Sequence, residues 1–202
     1  MTEPHRRLLA ATLAMAQHTG NLQQRLAEAY SAHLAADDLQ HGLPEDLRPR
    51  FAYMRARLTY AGNPEISTRL LDDTEAHEFI AVIVGLAWST ATPAPGGLRL
   101  DRRYALEKLT LATQELAVST ESRPERLAGA YMFQLMPLQA TDVSEAMWSR
   151  LEALRARLTR EQPRGDEGTV QATVRQMTEE EARELISQIV ELYGQIAREA
   201  GR

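Results

Sequence analysis

The chain has 202 residues, 44% of them apolar and 25% charged, a balance that excludes intrinsic disorder and fits one large or two small folded domains. Its net charge of -5 argues against general attraction to phosphate backbones or anionic lipid. The absence of cysteine excludes disulfides, thiolate zinc sites and a cysteine nucleophile, and it suits a reducing cytoplasm.

The first element runs through Leu8, Thr12, Met15 and Ala16, a stripe of helical period. Arg6 and Arg7 ahead of Leu8 to Ala16 imitate an export signal, but Leu8, Ala11, Thr12, Ala16 and Thr19 return as Leu109, Ala112, Thr113, Ala117 and Thr120. A leader has no reason to recur in mid-chain, so the segment is read as a helix. The second helix is predicted to start at Asn21, with Gln24 completing a capping box, and to bury Leu26, Ala29, Tyr30 and Leu34. The third carries Leu47, Phe51, Met54 and Leu58 at i, i+4, i+7 and i+11, a spacing that no strand fits. A connector from Ile66 to Leu71 precedes the fourth helix, which opens on an Asp72 to Glu75 capping box and buries Ala76, Phe79, Ile80, Ile83 and Val84. Ser89 to Gly97 then has the Pro/Gly composition of a linker.

The rest of the chain repeats this order. Arg25 to Tyr30 reappears as Arg126 to Tyr131, an offset of 101, and Arg55 to Thr59 reappears unchanged as Arg155 to Thr159. Glu75 to Ile80 is answered by Glu181 to Ile186 after an insertion around Gly165 to Gly168, where a loop absorbs it. In the second connector Val170, Val174 and Met177 have helical spacing, which predicts a short fifth helix. The expected fold is therefore all-α, a tandem duplication of a roughly 100-residue four-helix unit packed with pseudo-two-fold symmetry. Its boundaries are 1–89 for the first repeat, 90–100 for the linker and 101–202 for the second repeat.

Where the two copies differ, surplus apolar surface appears. Ala81, Val82, Gly85 and Trp88 replace Ser187, Gln188, Glu191 and Gly194, leaving the fourth helix of the first copy apolar nearly all round. Gly129, Met132, Phe133 and Met136 replace Glu28, Ser31, Ala32 and Ala35, which gives the second helix of the second copy an extra apolar face. These eight positions are expected at the contact between repeats or at an external partner site.

Chemistry is sparse. His5, His18, His33, His41 and His77 have no histidine counterparts in the other copy, and His77 with Asp73 and Glu78 lacks the Glu-x-x-His pattern of a di-metal bundle. Asp72-Asp73 and Glu179-Glu180-Glu181 fall at helix starts, where they offset the helix dipole. No nucleophile elbow, phosphate loop or dinucleotide fingerprint is present, so no catalytic residue, cofactor or metal is assigned. Arg50, Arg55 and Arg57 recur as Arg150, Arg155 and Arg157, giving each copy a basic edge that either contacts an anion or nucleic acid or forms solvated ion pairs. Arg25 and Arg126 lie beside the Tyr stripe and could equally pair with Glu75 and Glu181 inside each unit, and Tyr30 and Tyr131 are expected to need hydrogen-bond partners in the core. The reading is a non-enzymatic, bacterial, cytoplasmic protein-protein interaction or regulatory module, with self or another protein as partner and no membrane. A nucleic-acid-binding protein and a small-molecule sensor with a cavity at Tyr30 or Tyr131 stand as alternatives.

Overall fold

In a computed structural model that describes residues 2–91 and 100–200, every regular element is a helix. The first half runs α1 (Glu3–Gln17), α2 (Leu22–Ala29) continuing into a π-helical turn (Tyr30–Leu34), α3 (Asp38–Gly42), α4 (Arg48–Leu58), α5 (Pro64–Arg69) and α6 (Asp73–Ala91). The second runs α7 (Leu100–Val118), α8 (Arg123–Ala130) continuing into a π-helical turn (Tyr131–Leu135), a 3-10 turn (Ala140–Asp142), α9 (Glu145–Leu158), α10 (Thr169–Val174) and α11 (Glu179–Ala200). The expected linker falls largely on residues 92–99, outside the described residues.

Side-chain caps set the helix starts. The Asn21 and Ser122 side chains accept from the backbone N–H of Gln24 and Glu125, whose side chains return the bond to the cap residue. Asp72 Oδ1 takes the Glu75 N–H at 2.8 Å, and Thr178 with Glu181 closes a second box at the start of α11. Glu181 also receives Arg160 at 2.8 Å, and these bonds pull its carboxyl down from 4.5 to about 2. A carboxylate more acidic in the folded state contributes stability that is complete above about pH 4.5 and is lost as pH falls through 2. Glu181→Gln is accordingly expected to flatten the acid limb of the stability curve, measured by denaturant titrations at steps between pH 2 and 5. An unchanged limb would place that acid sensitivity elsewhere.

The expected stripes form the core. Leu8, Met15, Leu26, Tyr30, Phe51, Met54, Ile80 and Ile83 are buried in the first half, and Leu109, Leu116, Leu127, Tyr131, Leu154, Ile186 and Ile189 in the second. Two small bundles side by side are not what results. α1, α6, α7 and α11 each touch the other three, so one central four-helix body takes two helices from each half, with the shorter helices applied outside it. Across the seam the contacts are reciprocal: α1 meets α11 as α7 meets α6, and α1 meets α7. Ala16 accordingly joins the apolar cluster of the second half, while Ala117 and Val118 join that of the first.

The seam carries two buried guanidinium groups. Arg25 is 2% exposed and Arg126 is 1% exposed. Arg25 Nη1 donates to the carbonyls of Ala117 and Ser119 at 3.2 and 2.7 Å, and its Nε donates to Gly20 at 2.7 Å. Arg126 donates to Leu116 at 2.7 Å and across the seam to His18 at 3.1 Å. Beside them Arg123 donates to the Gln17 carbonyl and lies 3.5 Å from Glu179. All three cations thus gather at the C-terminal ends of α1 and α7, where unpaired carbonyls and the negative end of the helix dipole stabilise positive charge. Burial, with Arg25 and Arg123 close by, pushes Arg126 down to about 10, which leaves it a cation at neutral pH. The pairing with Glu75 and Glu181 that the sequence left open does not occur, because those carboxylates bind Arg57 and Arg160 instead.

Candidate protein interface

The outer face of α8 and its π-helical turn carries the largest exposed apolar side chain among the second-half positions singled out in the sequence. Phe133 is 70% exposed and Met136 50% exposed, whereas Met132 lies partly buried against the second-half core. Gly129 begins this face, and a Cβ placed there would sit 3.7 Å from Glu115 Oε1 on α7. Tyr104 and Leu111 of α7 are also exposed. Lys108 between them is tied down by a 3.2 Å bond to Gln134 and stands 5.7 Å over the Tyr104 ring, a cation–π distance.

At the corresponding position of the first half the surface is hollow. Ala32 and Ala35 stand where the other half has Phe133 and Met136, and a depression of about 380 Å³ opens between Ser31, Ala32, Ala35 and Ala36 on one side and Glu3, Arg6 and Arg7 on the other. Glu3 holds Arg6 at 2.6 Å and Arg7 at 2.9 Å, and Arg7 reaches Asp38 at 3.1 Å, so the charged wall is already organised. The same bonds hold the Glu3 carboxyl below its usual value, Arg6 contributing most. His33 lies on the rim, its imidazole pushed below the ordinary range by burial.

The extra face of α6 has another fate. Val82 is buried in the apolar cluster that takes in Ala117 and Val118 of α7, Ala81 and Gly85 are half-buried, and Trp88 is partly exposed near the end of the helix. The structure therefore separates the two surplus faces, Val82 being buried in the apolar core and Phe133 and Met136 facing solvent.

The arginine edges are mostly occupied. Arg55 binds Asp37 and the Tyr30 hydroxyl, Arg57 binds Glu75 at 2.5 Å, Arg150 binds Glu191 at 2.7 Å, and Arg157 binds Glu184 at 2.8 Å. Arg155 Nε donates to Tyr131 Oη at 3.1 Å, which supplies the partner that buried phenol requires. Arg50 is exposed and, among the described residues, forms no ion pair. Beside Tyr131 the described residues leave a cleft of only about 10 Å³, room for one water at most.

A wider groove of about 610 Å³ lies where the start of α6 faces the end of α7, lined by Leu22, Asp73, His77, Glu78, Glu115, Val118 and Glu121 among others. His77 is exposed in it, and among the described residues no group of three or more His, Asp or Glu side chains is arranged to hold a metal ion. No described helix is long and apolar enough to cross a membrane. Compared with family models, with curated proteins and with solved structures, the chain matches none.

Proposed function

We propose that the chain is a non-enzymatic helical protein-protein interaction module, made of two related units joined about a pseudo-two-fold axis, that presents Phe133 and Met136 to its partner. The exposed α8 face carries this reading: a phenylalanine at 70% exposure, with Met136 exposed three residues further on, is apolar surface of the kind that marks interaction sites. Two-unit construction is supported by the paired capping boxes, the π-helical turns at Tyr30 and Tyr131, the Tyr–Arg contacts and the reciprocal seam. A nucleic-acid role draws less support, since five of the six edge arginines already face a carboxylate or a phenol.

A photo-crosslinking residue at position 133, with a second at Arg183 on the polar side of α11 as control, tests the reading in cells. Protein adducts are expected from position 133 and not from 183. Equal adduct formation at both, or none at 133, would remove the patch as an interface.

A further inference from the structure

We infer that the seam between the halves also fits a second copy of this chain, the first half of one molecule pairing with the second half of another to give a dimer by exchange of halves. The seam is reciprocal residue by residue. Arg25 donates to the Ser119 carbonyl at 2.7 Å and Arg126 to the His18 carbonyl at 3.1 Å, and donor and acceptor alike are related by the same offset of 101. Ala16 packs in the apolar cluster of the second half as Ala117, again 101 residues on, packs in that of the first. Contacts of this form, in which i meets j and j meets i, are those of a two-fold interface between identical subunits. Here both sides of such an interface sit in one chain.

The chain passes from one half to the other once, between Ala91 at the end of α6 and Leu100 at the start of α7. A single passage lets the halves part and pair again without threading one through the other. Exchange keeps the buried apolar contacts and the guanidinium–carbonyl bonds, and it alters only the path of the connection. The start of α6 faces the end of α7, so these two packed helices run antiparallel and need a turn of about two residues or more to be joined within one molecule. What favours the monomer is therefore the tether, which holds one half against the other at an effective concentration in the millimolar range, roughly that of a short flexible linker. Second copies compete at that concentration. The pairing does not involve the Phe133 face, which an exchanged dimer carries twice.

The chain has no cysteine, so a pair of thiols placed across the seam reports which molecules form it. The Gln17 amide on α1 donates to the Ser187 hydroxyl on α11, which makes these two positions suitable. Full-length Gln17→Cys and Ser187→Cys variants, each shown by circular dichroism and thermal melts to fold as the parent does, are unfolded together in urea, refolded and oxidised. Refolding at about 1 mM is expected to give a disulfide-linked heterodimer, and refolding at about 10 μM at least tenfold less of it, because the tether then outcompetes second copies. Joining Ala91 directly to Leu100 in both variants removes the turn and is expected to give the heterodimer at either concentration. At about 1 mM, a mixture with no more linked dimer than each variant forms by itself overturns the inference. So does a joined chain that is a folded monomer or does not fold, since either outcome shows that the seam is not made between copies. Phe133→Asp added to both variants is expected to leave the yield of heterodimer unchanged; its loss assigns the pairing to the exposed face and overturns the inference, while the position-133 adducts test the interaction reading separately.

Discussion

Arg126→Ala is expected to lower stability by about 2–4 kcal/mol, one of the largest losses available to a single substitution in this chain. The guanidinium is almost wholly buried and binds the carbonyls of Leu116 and His18, which sit on opposite sides of the seam. Removing it leaves both acceptors without that donor, each at roughly 1–3 kcal/mol, and opens a void where a long side chain had been. Against this, alanine is spared the cost of burying a cation, which keeps the net loss below the sum of its parts. Arg126→Lys keeps a charge but cannot fork between two carbonyls, and is expected to recover less than half of the loss. Urea unfolding with both variants measures it. A shift under about 0.5 kcal/mol for Arg126→Ala, the range of ordinary surface substitutions, would mean that the bonds contribute nothing net.

Residues 1–91 produced alone are expected not to fold into a cooperative monomer, and residues 100–202 alone likewise. α1 and α6 account for only half of the central four-helix body, and Ala16, Leu9 and Leu13 pack against apolar groups of the second half. Arg25 would lose the Ala117 and Ser119 carbonyls at the same time. A fragment that must leave this surface in water lacks the burial needed to offset chain entropy. Mixing the fragments is expected to restore cooperative unfolding, followed by the far-UV signal and sedimentation. A sharply melting monomer from 1–91 alone would show that the seam is an accessory contact.

The sequence made the helices plain because their burial is periodic: Phe79, Ile80, Ile83 and Val84 in α6 and Leu185, Ile186, Ile189 and Val190 in α11 sit where the stripe places them. Caps at Asn21, Ser122, Asp72 and Thr178 were equally visible, since each depends on two residue types at fixed spacing. The π-helical turns were not legible, because one extra residue per turn leaves residue types unchanged. Nor was the exchange of helices across the seam, since periodicity gives the apolar face of α1 and α7 without naming what covers it. The partners of Arg25 and Arg126 were not legible for a related reason. A charged side chain beside a Tyr stripe suggests a carboxylate partner, and the backbone acceptors it actually finds have no residue code.

At the interface, residue type singled out Phe133 and Met136, but their exposure and the hollow at Ala32 depend on how α1 and α7 stand behind the two turns. Likewise the sequence left the arginine edges between anion contact and ion pairing without naming the partners, and only folding brought Glu184 and Glu191 of α11 against Arg157 and Arg150 of α9.

Main-chain oxygen is the one acceptor that mutation does not delete. A joint secured by Arg25 and Arg126 to the ends of α1 and α7 is therefore indifferent to which side chains occupy positions 119 and 18, provided those turns keep their course. Substitutions there are free to accumulate without loosening the joint, whereas the two arginines themselves have no such latitude.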